Sequence, residues 1–205
     1  PCINIRKDEP TNVFELYFAD HRGKSIRRAV SNNILGPFEI SLTPELSIDY
    51  LSSFCSAYNH IASPFVFYFK NQLWLIVHAP CSIHNCQRSF FLQFVDLKWQ
   101  AVASDFFLPF YAKAIIFDNI LIFVSKGGDV FRSHDPLGPY KKLGNLFNYK
   151  GSDTWHNYSN AARHFGLFHD LLNGVILLCF TRIGVMQESI EYLLISAEDL
   201  VNGFF

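Results

Sequence analysis

Four very apolar, strand-length runs recur along the chain: Phe14–Ala19, Leu73–His78, Ile120–Ser125 and Val175–Phe180. Their starts are separated by roughly 45 to 60 residues, the range of blade-type repeats. A first strand precedes each run, at Cys2 to Arg6, Pro64 to Phe69, Tyr111 to Phe117 and Ala162 to Phe168. A third strand follows, at Ile26 to Ser31, Ser89 to Phe94, Asp129 to Ser133 and Glu191 to Ser196. Polar corners close the units. Asn32-Asn33-Ile34-Leu35-Gly36-Pro37-Phe38 matches His134-Asp135-Pro136-Leu137-Gly138-Pro139-Tyr140, and Ala197-Glu198-Asp199-Leu200 begins a third copy. Gly and Pro supply the turn geometry there.

A single four-stranded blade cannot bury both of its faces, so neighbours must stack around an axis. Second strands buried on both faces would explain the unbroken apolar runs. The expectation is an all-β chain, a five-bladed β-propeller with about four blades represented. It would form one domain over 1–205, with repeats at about 1–45, 60–105, 108–148 and 160–205. A β-sandwich is the alternative, but it would not repeat the Leu-Gly-Pro-aromatic corner in step. The start at Pro1, without Met, reads as a processed or N-terminally truncated chain.

Composition narrows the function classes. Seventeen basic and 18 acidic residues nearly cancel, with no basic stripe, so nucleic acid is not an expected partner. No apolar run reaches the roughly 18 residues of a membrane span. Five cysteines at irregular spacing do not form a disulfide framework, which favours a reducing, cytoplasmic setting unless a signal peptide has been lost with the start. No Gly-x-Ser-x-Gly, P-loop, dinucleotide fingerprint or His-Glu-x-x-His occurs, and no cofactor is expected. His78, Cys81, His84 and Cys86 fall within nine positions, but one hairpin lacks the separated ligand pairs of zinc sites, so no metal is expected.

In a propeller the first strands line the channel, and polar residues near them are the candidates for binding. These are Asp20-His21-Arg22, His60 ahead of the second repeat, Arg163-His164, and Arg182 with Glu188. Histidines here could be hydrogen-bonded structural residues. The arginines suit the gripping of carboxylates or sugar hydroxyls, or equally a salt bridge between blades.

Several phrases resemble a known group. Leu16-Tyr17-Phe18-Ala19-Asp20-His21-Arg22-Gly23, Leu35-Gly36-Pro37-Phe38 and His60-Ile61-Ala62-Ser63-Pro64 resemble bacterial five-bladed propellers that are similar to family 43 glycoside hydrolases. Arg163-His164, Thr181-Arg182-Ile183-Gly184 and Glu188-Ser189-Ile190 extend the resemblance over nearly the whole chain. It implies a five-bladed propeller and hydrolysis of glycosidic bonds with inversion, by two carboxyl groups roughly 6.5 to 9.5 Å apart. Glu188 is the matched carboxylate and the catalytic candidate. His21, Arg22, His60, Phe65, His164 and Arg182 are the candidates for substrate binding. After Ala62-Ser63-Pro64 the related proteins carry Asp where this chain has Phe65. After Gly184 the run Val185-Met186-Gln187-Glu188-Ser189 keeps the Glu but loses a second acid and an Arg.

The resulting expectation is a monomeric, glycosidase-like propeller that recognises a carbohydrate at the channel mouth and has little or no hydrolytic activity. The alternatives are a sugar-binding or protein-interaction propeller without chemistry, and a truncated gene product without function.

Overall fold

The computed structural model of the chain describes residues 2–8, 11–20, 23–55, 60–81, 86–102, 108, 111–148, 162–170, 172–182 and 189–204. The fold separates into two compact units, Pro1–Ala103 and Ser104–Phe205.

The first unit begins with a meander of β1 (Cys2–Asp8), β2 (Thr11–Ala19), β3 (Ser25–Ser31) and β4 (Glu39–Ile40), with β5 (Leu46–Ser47) also on β3. Helix α1 (Ile48–Cys55) follows. The Ser47 side chain accepts a hydrogen bond from Tyr50 N–H and so caps its first turn. The second sheet is β6 (Ala62–Phe69), β7 (Gln72–Cys81), β8 (Cys86–Val95) and β9 (Lys98–Ala101), again in chain order. Tyr17 and Ile26 from the first sheet, Leu46 and Leu51, and Val66, Leu75, Val77 and Trp99 from the second form one core. Each fully buried aliphatic or aromatic side chain contributes about 1.5 to 3 kcal/mol.

The second unit holds β10 (Lys113–Phe117), β11 (Ile120–Val124), β12 (Asp129–Ser133) and β13 (Lys141–Asn145) in one sheet. The last sheet is β14 (Ala162–Asp170), β15 (Val175–Arg182) and β16 (Ser189–Ser196), followed by α2 (Ala197–Asn202). Ile122, Val124, Phe147, Phe165, Ile176, Leu178 and Phe180 pack its core. Arg132 Nη1 donates to the Val201 carbonyl at 3.3 Å, tying β12 to α2.

The four second strands lie in four separate antiparallel sheets, each between its own first and third strands. The expected burial on both faces holds for Trp74–Pro80 on β7 and Leu121–Val124 on β11. β2 and β15 instead alternate buried and half-buried residues, because one face of each of these sheets carries exposed apolar side chains. Among the described residues no helix is long and apolar enough to cross a membrane.

Candidate functional site

The first unit gives the clearer view of the residues expected to bind. The chain leaves β2 through a turn in which Gly23 N–H donates to the Asp20 carbonyl at 2.8 Å. A Cβ at Gly23 would stand 2.9 Å from that oxygen, so the turn accepts no side chain there. The Gly23 carbonyl in turn accepts from Ile61 N–H at 3.0 Å. This bond joins Gly23 to the residue that follows His60. Both His21 and Arg22 lie outside the described residues, as does Glu188. Asp20 is exposed and supplies a carboxylate at this end of the unit.

His60 is half-buried, and its ring meets His78 edge to face with centroids 5.6 Å apart. His78 is only 2% exposed, and its backbone pairs with Ala62 on one side and Ser89 on the other. Of the zinc-type grouping, His78 is described and the backbones of Cys81 and Cys86 pair in register, while the two cysteine side chains and His84 lie outside the described residues.

Between Ala62 and Phe65 the ladder slips: three steps on β6 face two on β7, from His78 to Ile76. This is a β-bulge, and Ser63 occupies it with φ +51°, a left-handed conformation uncommon for serine. Bulges re-aim the side chains that follow them. The first side chain after this one is Phe65, half-buried and stacked on Phe67 at 6.0 Å with planes 21° apart.

The last sheet repeats the device. From Arg163 to Gly166 on β14, three steps again face two on β15, Thr181 to Cys179. His164 falls inside this bulge at the position that Ser63 holds in β6. Arg182 pairs with Ala162, so Arg182 and His164 come from facing ends of neighbouring strands. Their side chains lie outside the described set. The sequence shows the polar residues here but not the bulges, since register depends on the partner strand.

A second polar cluster escapes sequence reading altogether. Glu15, on β2, is buried with its side chain 3% exposed. Its Oε1 meets Arg28 Nη1 at 3.0 Å and Arg6 Nη1 at 3.4 Å. Its Oε2 accepts from Asn4 Nδ2 at 3.0 Å and Tyr17 Oη at 3.3 Å. Arg28 Nε also lies 2.8 Å from Glu45 Oε1. Burial, and next the Glu15 charge, push the Tyr17 phenol well above its ordinary pKa. Burial works against the Arg28 cation, but Glu45, followed by Tyr17 and Glu15, holds its pKa above the ordinary value.

No family model and no curated protein sequence matches the chain. Solved structures do. A thermostable family 43 glycoside hydrolase superposes with a TM-score of 0.64 at 12% identity, over 94% of this chain and 67% of that one. An α-L-arabinofuranosidase from Lactobacillus brevis gives 0.65 at 10% identity, over 98% and 70%. The fold is that of the family 43 propellers. A family 43 endo-arabinanase from Bacillus licheniformis agrees, at 0.59 and 13% identity over 94% and 70%. In the family 43 fold the four sheets described above are four blades, with β1, β6, β10 and β14 as their first strands. Identity this low carries the fold and no residue role.

Proposed function

We propose that the chain recognises a carbohydrate at the end of the propeller where the first strands begin, and that it hydrolyses glycosidic bonds weakly or not at all. Phe65 carries the reading. It is the first side chain after the β6 bulge, at the start of a channel-lining strand, where the resembling propellers carry Asp. A phenyl ring can neither take a proton from water nor tune a neighbouring acid, and each acid or base contribution is worth about a hundredfold to ten-thousandfold. An apolar ring can instead face the C–H surface of a sugar. His60, with His21, Arg22, His164 and Arg182, would supply hydrogen bonds to hydroxyls, and Glu188 would be the remaining carboxylate of the acid–base machinery. The likeness to an arabinofuranosidase and an endo-arabinanase supports pentose-containing glycans as the first ligands to try.

The test is hydrolysis of aryl arabinosides and xylosides by the purified chain, beside Phe65→Asp and Glu188→Gln. The expected result is turnover near background for the natural sequence. Ordinary glycosidase rates, abolished by Glu188→Gln, would overturn the reading and make the chain an enzyme. Loss of glycan binding in Phe65→Ala, with little turnover to lose, is the result expected of a binding propeller.

A further inference from the structure

The Glu15 cluster forms one wall of a cleft between the two sheets of the first unit. The cleft has a volume of about 340 Å³, near the lower bound of the roughly 300–1,000 Å³ typical of small-molecule sites. Arg6 and Arg28 stand on one side, and Tyr68, Asn71, Gln72 and Phe94 on the other. We propose that this cleft is a binding site for a neutral sugar residue, separate from the one at the start of the first strands.

Charge argues first. Arg6 and Arg28 line the cleft with Glu15, and Glu45 outside it also pairs with Arg28, so each guanidinium already holds a carboxylate and exerts little pull on an anion. Glu15 itself is fully engaged, with two donors on each oxygen. A carboxylate accepts about four hydrogen bonds, so its work is to hold two guanidinium planes in place. The planes remain partly open, with the Arg6 and Arg28 side chains 44% and 29% exposed.

The opposite wall supplies what a sugar needs besides donors. Gln72 Nε2 donates to the Phe94 carbonyl at 2.6 Å, which leaves its Oε1 as an acceptor. Asn71, exposed in the β6–β7 turn, adds an amide with both functions. Tyr68 is a large aromatic side chain left 46% exposed. Oriented donors on paired guanidiniums, amide acceptors and an open aromatic ring match hydroxyls that both donate and accept around an apolar C–H face.

The site is physically distinct from the one containing Phe65. Tyr68 and Asn71 lie at the closing end of the β6–β7 hairpin, whereas His60 and the bulge lie at its opening. Phe65 lies only three residues from Tyr68, roughly 10 Å along the strand, but the odd spacing puts the two side chains on opposite faces of β6, so one sugar does not contact both.

Saturation-transfer NMR of methyl glycosides of arabinose, xylose, galactose and glucose tests the inference on the intact chain. Two variants address the cleft. Tyr68→Thr replaces the ring with a β-branched side chain that suits a strand, and Asn71→Gly removes the amide while suiting the φ of +60° at that position. Phe65→Ala reports on the other site. The expected result is transfer to at least one sugar that weakens about fivefold in Tyr68→Thr, the size of one aromatic contact, falls in Asn71→Gly and persists in Phe65→Ala. Melting temperatures of the variants within a few degrees of the parent establish that the fold is retained. The inference is overturned if no sugar binds, or if binding survives both cleft variants. Binding that is lost only in Phe65→Ala also overturns it, and leaves the proposed function standing.

Discussion

At the scale of single residues, the Glu15 cluster makes stability depend on alkaline pH. Tyr17 is 2% exposed, and its phenol donates to Glu15 at 3.3 Å. Its pKa is raised on folding, by burial first and by Glu15 next. Above the ordinary tyrosine value of about 10 the unfolded chain loses this proton while the folded chain keeps it. The unfolded state then binds fewer protons, so stability must fall as pH rises, by about 1.4 kcal/mol per pH unit from this group. The contribution is intact below pH 10 and disappears above it. Tyr17→Phe should cost about 1 kcal/mol at pH 8 through the lost hydrogen bond. That deficit should close or reverse by about pH 11. Urea denaturation of both proteins between those limits measures it, and a constant gap would contradict the assignment. None of this is legible in the one-dimensional pattern. Phe14-Glu15-Leu16-Tyr17 reads as an apolar strand with one stray charge, and Asn4, Arg6 and Arg28 become its partners only through the β1–β2–β3 register. The contact of His60 with His78 is hidden for the same reason, since it depends on the pairing of β6 with β7.

At the scale of elements, the strands were largely legible because their apolar runs are long and their turns well marked. Asp129–Ser133 agrees residue for residue, β3 and β16 begin a residue or two earlier than expected, and β8 extends beyond Ser89–Phe94 at both ends. The matched corners share their main turn hydrogen bonds. Asn33 N–H and Asp135 N–H donate to the hydroxyls of Ser31 and Ser133. Leu35 N–H and Leu137 N–H donate to the Asn33 and Asp135 side chains. Both corners carry a cis Gly-Pro bond. The second sheet departs from this pattern. Asp96 and Leu97 both adopt positive φ and close a tight β8–β9 hairpin, although nothing in Leu97 advertises that conformation. A glycine pair separates conformational cost from packing cost. Gly128 and Gly174 both have positive φ, +80° and +62°. A Cβ at Gly174 would meet nothing within 4 Å, whereas at Gly128 it would stand 2.5 Å from the Phe147 ring. Gly174→Ala should therefore cost only the backbone penalty of about 1 to 2 kcal/mol. Gly128→Ala should cost about 1 to 3 kcal/mol more, the size of an overpacked core. Equal losses on chemical denaturation would show that the Ser125–Gly128 turn yields without disturbing Phe147.

At the scale of the whole molecule, repetition explains both what the chain does well and what it leaves open. A blade buries each face only against a neighbour, so a sheet with a bare face should betray itself by exposed apolar side chains. The last sheet does so. Phe168, Ile190, Tyr192 and Leu194 are 61%, 80%, 70% and 60% exposed. The pairings of Phe168 with Leu177, Leu177 with Leu194, Cys179 with Tyr192 and Thr181 with Ile190 put them all on one face. Ile3, Ile5 and Ile40 are about half exposed in the first sheet. An apolar face of this kind marks an association surface or an aggregation liability. A formal net charge of −1 offers little repulsion to oppose it. The monomer expected from sequence and this bare face therefore pull in opposite directions, and substitution on the face decides between them. Ile190→Thr, Tyr192→Lys and Leu194→Thr combined should abolish concentration-dependent light scattering. The side chains removed are already largely in water, so each change should move stability by only about 0.5 kcal/mol or less. Scattering that persists in the triple variant would place self-association elsewhere. A large fall in melting temperature would show that this face is covered in solution and belongs to the core.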